Sequence, residues 1–231
     1  MNTRKRSFKE VKYIYNNVVK KFKKEDDTSS SSSNDTSDLL DKLSNGCKKD
    51  QTKIERNFNH IYFYSEVDRD SIYELSKLIT EAEEDVILTK LKLKLDNNIP
   101  IYLHINSYGG SVYAAFAGID SIEACTIPIH TIVEGAVASA GTILSVVGEK
   151  RYIRPNANML IHQLSSVCWG KMSEIEDEFK NLEDLMKSIK NIYLKHTSIP
   201  KKKLTELLKH DFWLNSEKSI EYGLVDELWE K

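Results

Sequence analysis

With 231 residues, 40% hydrophobic content and a formal net charge of −2, the chain can form one sizeable core with a tail to spare. The near-neutral balance speaks against nucleic acid as a partner, and no apolar run approaches the ~20 residues that a membrane span needs. Three widely spaced cysteines (Cys47, Cys125, Cys168) suit a reducing cytosol and give no metal-ligand spacing.

The N-terminal stretch MNTRKRSFKEVKYIYNN is basic but lacks the apolar segment of a signal peptide. Within residues 1–24, Val11, Ile14, Val18 and Phe22 stand near helical spacing, so this stretch reads as a basic amphipathic helix or a solvated extension. Residues 25–53 are polar and serine-rich and read as a disordered linker. The expected organisation is therefore an extension over 1–56 and one domain over 57–231.

In that domain His60–Tyr64 reads as a strand. Ile72, Leu75, Leu78, Ile79 and Ala82 predict an amphipathic helix over Asp70–Leu95, ended by Pro100. Ile101–Ile105 is the next strand, and Asn106-Ser107-Tyr108-Gly109-Gly110-Ser111 leads into a helix over Val112–Ala124. A Gly-Gly pair between strand and helix leaves backbone N–H groups unshielded, able to hold a phosphate or an oxyanion. Pro128–Val133, Arg151–Arg154 and Met159–His162 read as further strands, with a turn at Pro155-Asn156. Met172–His196 is the clearest helix. Its seam of Ile175, Phe179, Leu182, Met186, Ile189 and Tyr193 suits packing on another helix, in this chain or in another subunit. A short basic helix over Lys201–Lys209 follows, then Asp211–Leu214 and a short helix N-capped by Ser216, with Gly223 after its end. Leu224–Leu228 is the closing strand. Strands alternating with helices predict an α/β domain with parallel pairs.

The stretch Glu134–Val147, EGAVASAGTILSVV, reads as strand, tight turn and buried helix with Ser139 at the turn. A serine there sits beside unpaired N–H groups and the positive end of a helix dipole, which suits a nucleophile, although an N-cap is the commoner reading of this stretch taken alone. His162 ends the MLIHQ strand, one crossover downstream. It is a candidate base, or a satisfied strand-end histidine. Asp211, between His210 and Phe212-Trp213, is a candidate acid to orient that base, or a helix-terminal aspartate.

Four ordered segments carry a resemblance. Ile105–Gly110 resembles an INSPGG motif, with Tyr108 in the proline position. Gly135–Gly141 resembles a GxAASMG nucleophile segment, with Ala140 in the methionine position. Arg151–Gln163 resembles a KR…LPN…MIHQP run. Asp211–Leu214 with Glu221–Asp226 resembles an RD…EYGL(I/V)D ending. Together, from about Ile61 to Leu228, they resemble the Clp protease proteolytic subunit family.

That resemblance implies a Clp-protease/crotonase-like α/β fold of repeated ββα units, with Met172–His196 as a protruding handle helix. It implies a serine endopeptidase with Ser139 as nucleophile, His162 as general base and Asp211 as the orienting acid. The backbone N–H groups of Gly110 and Ala140 would form the oxyanion hole, and Gly109, Leu164 and Ser165 would bind substrate. It further implies a cytoplasmic homo-oligomer of stacked heptameric rings, fed with unfolded polypeptide by an AAA+ unfoldase. No GxxxxGK[ST] run occurs in the sequence, so no cofactor is expected on this chain and ATP would be used by that partner. Leu164–Gly170 replaces the family's proline and glycine-rich strand after MIHQ, and residues 1–56 do not match its axial-loop segment. Other classes are a non-catalytic ring subunit, a virus- or phage-encoded maturation protease, a signal-peptide-peptidase-like enzyme and a crotonase acyl-CoA enzyme. The last would not need all three of Ser139, His162 and Asp211.

Overall fold

The computed structural model describes residues 53–95 and 99–230. The expected basic helix within 1–24 and the polar stretch up to residue 52 lie outside the described residues. Among the described residues, no helix is long and apolar enough to cross a membrane.

The sheet begins at Lys53, ahead of the expected domain start. β1 (Lys53–Asn57) pairs antiparallel with β2 (His60–Tyr64). β2 then lies parallel to β3 (Ile101–Ser107), and β3 to β4 (Ile129–Ala138). Parallel neighbours need crossovers, which α1 (Arg69–Leu93) and α2 (Val112–Ala124) supply. α1 is closed by a capping box. Asp68 Oδ1 accepts from the Ser71 N–H at 2.7 Å, and the Ser71 hydroxyl accepts from the Asp68 N–H. Ile61 and Phe63 alternate with less buried residues, Leu103 and Ile105 flank the buried His104, and all four apolar residues meet Leu75, Ile79, Ala115 and Ile119 of the two helices in one core. Gly118 of α2 lets that helix approach closely, since a Cβ there would come within 2.7 Å of Leu144 and 3.0 Å of Ile72.

β4 is longer than expected and has two parallel partners in succession. Its first half pairs with β5 (Lys150–Ile153) and its second with β6 (Asn158–Leu160). The changeover falls at Glu134-Gly135, where Glu134 collects three donors. His104 Nδ1 and Arg154 Nε each stand 3.0 Å from Oε1, and the Tyr64 hydroxyl donates to Oε2. His60 Nδ1 lies 3.0 Å from the other ring nitrogen of His104. The hydrogen bond from His104, with those from Tyr64 and Arg154, outweighs burial and holds the Glu134 carboxyl down at about 2. A carboxylate lowered in this way stabilises the fold above its unfolded pKa of 4.5, and the stabilisation is lost as pH falls from there towards 2. In urea unfolding, the stability gap between wild type and Glu134→Gln should therefore narrow by about 3 kcal/mol between pH 6 and pH 2. A gap that stays constant with pH would refute this account of the bend.

α3 (Ala140–Val146) leaves β4 at Ser139 and is buried throughout. α4 (Met172–His196) divides along its length. Leu185, Ile189 and Tyr193 enter the core, whereas Met172, Ile175 and Phe179 are exposed. Among the described residues the seam is thus satisfied only over its C-terminal half. α5 (Lys201–Leu207) follows, then β7 (Leu214–Asn215), which pairs antiparallel with β6. Asn215, not Ser216, caps α6 (Ser216–Glu221): its side chain accepts from the Lys218 N–H at 3.0 Å. Ser216 is instead the first helical residue, and its hydroxyl donates to Pro155 O. The closing strand is only β8 (Glu227–Leu228), beside β5. Leu224 and Val225 do not join it because their N–H groups turn back to Ser219 O at the end of α6. Pairing with β5 begins where the Asp226 N–H donates to Arg151 O, and the Arg151 side chain braces this join by binding the Asp226 carboxylate and the carbonyls of His196 and Gly223. The result is a mixed α/β fold.

Candidate active site

Sheet pairing delivers the serine. Ala138 and Leu160 are the last register pair of β4 and β6, and the Ser139 N–H donates to Leu160 O at 2.9 Å. There the chain turns sharply into α3, with Ser139 at φ 53° and ψ −126°. That backbone is unfavoured for an L-residue, at a cost on the order of 1–3 kcal/mol, and such strain clusters at functional turns. Ser139 occupies the cap position of α3, yet its side chain makes no capping hydrogen bond. The N-cap reading therefore fails, and the hydroxyl of this partly exposed residue is left free of the helix.

The Gly-Gly loop packs against the same turn. A Cβ on Gly109 would come within 2.6 Å of Ser139 Cβ and 3.0 Å of Ala140 N, at a φ of +100°. Only glycine permits this approach. The Val67 N–H donates to Gly109 O at 2.8 Å, and the Ser111 N–H donates to Val67 O at 2.7 Å. In that parallel bridge Gly110 turns its own N–H away from Val67. Ala140, first residue of α3, has an N–H with no partner in its own helix. The Gly-Gly loop and the first residue of α3 thus meet at the serine.

His162 lies just beyond β6 and is partly exposed. The next N–H, of Gln163, donates to Leu208 O at 2.7 Å, which ties the histidine to the end of α5 and the Asp211 loop. His162 Nδ1 and Asp211 Oδ1 stand 3.8 Å apart, an ion-pair distance and longer than a hydrogen bond, and Asp211 is exposed. Tyr108 meets Trp213 edge-on at 6.4 Å, joining the Gly-Gly loop to the same segment. Leu164 is half-buried, with its N–H 3.4 Å from Met186 Sδ. Ser165 is exposed in a stretch, 161–169, without helix or strand.

Comparison with known proteins decides the family. The Clp protease family model matches residues 53–231. The chain belongs to the Clp protease family. Its mixed α/β fold is of that family's kind, and it is a Clp-type peptidase. Similar curated proteins include the "ATP-dependent Clp protease proteolytic subunit" of Deinococcus radiodurans, 32% identical over 170 residues, covering 71% of this chain and 83% of the relative. The "ATP-dependent Clp protease proteolytic subunit 2" of Treponema denticola is 36% identical over 151 residues, covering 64% and 76%. That of Dehalococcoides mccartyi is 32% identical over 173 residues, covering 73% and 86%.

Sequence reasoning missed one residue of this Clp-type site. Thr142 donates to the Ser139 carbonyl from both its N–H, at 3.0 Å, and its hydroxyl, at 2.6 Å. The signal was available: a threonine three residues after a turn serine, inside a buried and mostly apolar helix, needs a partner for its hydroxyl.

Proposed function

We propose that the chain is a serine endopeptidase whose nucleophile is Ser139, and that it works as the proteolytic subunit of an ATP-dependent Clp protease. The observation that carries this reading is the strained turn at Ser139, whose hydroxyl caps no helix donor and against which the Gly-Gly loop packs at Gly109. His162 removes the hydroxyl proton as Ser139 Oγ attacks the scissile carbonyl. The oxyanion that forms is held by the N–H groups of Gly110 and Ala140. His162 then returns the proton to the leaving amine, giving an acyl-enzyme that water hydrolyses by the same route. Asp211 orients the imidazole. The 3.8 Å separation closes to hydrogen-bond length when substrate settles the exposed 211–213 loop, as catalytic contacts commonly tighten on binding.

The names of the relatives motivate the rest. An AAA+ unfoldase would use the ATP and feed unfolded polypeptide to cytoplasmic, stacked heptameric rings of this chain, which itself binds no cofactor. Gly109, Leu164 and Ser165 would contact substrate, and the exposed half of α4 would act as a handle between rings. The peptidase domain would begin near Lys53, behind an extension.

The test is labelling of the purified protein by a fluorophosphonate, located by mass spectrometry. Ser139 should carry the label, and His162→Ala should slow labelling about a hundredfold, the lower end of what a general base contributes. An assembled, folded particle that takes no label at Ser139 would sink the reading and leave a non-catalytic ring subunit.

A further inference from the structure

The Ser139 carbonyl does not depend on Thr142 alone. The Thr142 hydroxyl oxygen lies 2.5 Å from the hydroxyl of Tyr193, on α4. A carbonyl only accepts, so the single Thr142 hydroxyl proton is committed to Ser139 O. Tyr193 must then be the donor to Thr142. Both residues are fully buried, and burial pushes the Tyr193 phenol up, so it keeps its proton. The three groups form one directed chain: Tyr193 O–H to Thr142 Oγ1, Thr142 O–H to Ser139 O.

We propose that Tyr193 and Thr142 are positioning residues for the nucleophile, acting through this chain to fix the carbonyl side of the Ser139 turn. The inference rests on the reading of Ser139 as nucleophile. Neither residue is part of the triad or the oxyanion hole. Their role follows from what the strained turn requires. With Ser139 outside the favoured backbone wells, both of its peptide groups must be held by the surroundings. The N–H is held by Leu160 O, at the end of the strand that leads to His162. The C=O is held by Thr142, and Thr142 by Tyr193. A donor to the Thr142 oxygen polarises its O–H and strengthens the bond to the carbonyl. The plainer account is that a buried tyrosine needs a partner and Thr142 is the nearest. That account predicts a loss of stability without a specific loss of rate.

The test uses the full-length protein with Tyr193→Phe, Thr142→Val and Thr142→Ser. The readouts are the rate of fluorophosphonate labelling at Ser139, kcat and KM on a short peptide, and amide hydrogen exchange over residues 137–146. Tyr193→Phe removes one oxygen and keeps the ring. It should lower the labelling rate and kcat about fivefold to tenfold, the effect of one lost hydrogen bond, with KM unchanged and exchange at the turn raised. Thr142→Val should lower the rates further, because it removes the bond to Ser139 itself, and Thr142→Ser should keep most of the rate. The proposal is overturned if Tyr193→Phe matches wild type in rate and exchange, or if Thr142→Ser is as impaired as Thr142→Val. If wild-type Ser139 takes no label, the nucleophile reading fails separately. The exchange data then still decide the positioning claim: unchanged exchange at the turn in Tyr193→Phe refutes it, and raised exchange supports it.

Discussion

Ser139→Ala is expected to lower peptide hydrolysis by about 10⁴–10⁶-fold, the range seen when members of a hydrolytic triad are removed. The fold should hardly register the change. The Ser139 side chain makes no capping bond, so its loss orphans no helix donor. Alanine carries the same Cβ into the same strained backbone, and the hydrogen bonds from its N–H to Leu160 O and from Thr142 to its carbonyl stay in place. Stability should therefore remain within ~0.5 kcal/mol of wild type. The measurement is steady-state hydrolysis of a fluorogenic peptide beside thermal unfolding of the same sample. A variant that is well folded and within tenfold of wild-type rate would exclude Ser139 as the nucleophile. Residual hydrolysis above the uncatalysed rate is expected too, if Gly110 and Ala140 are the oxyanion donors proposed above and still favour a bound tetrahedral species.

Much of this site was legible in the sequence because its parts are local. A strand running into EGAVASAG announces a tight turn, and Gly109-Gly110 announces bare backbone. Helices α1, α2 and α4 follow directly from apolar residues at spacings of three and four. What escaped has long-range causes. The reach of β4 to Ala138 depends on β6 arriving as a second partner, and nothing near residue 135 encodes that arrival. The Glu134 cluster gathers Tyr64 from β2, His104 from β3 and Arg154 from just beyond β5. Its only local trace is the alternation of HIYFY and IYLHI, which marks a polar sheet face without naming the partner. Tyr193 reads as one more apolar seam position, since periodicity cannot report that its hydroxyl meets Thr142. Leu224–Leu228 reads as a strand because its residues are strand formers, yet the N–H groups of Leu224 and Val225 are taken by Ser219 O at the end of α6. The strain at Ser139 was invisible as well: small residues permit a sharp turn but do not fix its dihedral angles.

Gly109→Ala should be the most damaging substitution that replaces no functional side chain of the site. Its Cβ would stand 2.6 Å from Ser139 Cβ and 2.9 Å from Ala138 O, with the residue held at φ +100°. Two of its three nearest atoms are backbone, on the β4–α3 turn, so no side chain can swing aside to make room. Either the Gly-Gly loop retreats, carrying Gly110 with it, or the Ser139 turn does. Both movements separate the nucleophile from an oxyanion donor. A misplacement of about 1 Å costs roughly 10²-fold and loss of one donor 10²–10³-fold, so kcat should fall on the order of 10²–10³. The strained φ adds a loss of stability of about 1–3 kcal/mol. Gly118→Ala is the control that separates these effects. Its Cβ would come within 2.7 Å of Leu144 Cδ2 and 3.0 Å of Ile72 Cδ1, both ends of flexible side chains, in a helix where alanine is preferred by about 1 kcal/mol. It should shift stability modestly and leave kcat alone. If Gly109→Ala instead lowers stability while its folded fraction turns over at the wild-type rate, the Gly-Gly loop is only a packing element and the oxyanion hole lies elsewhere.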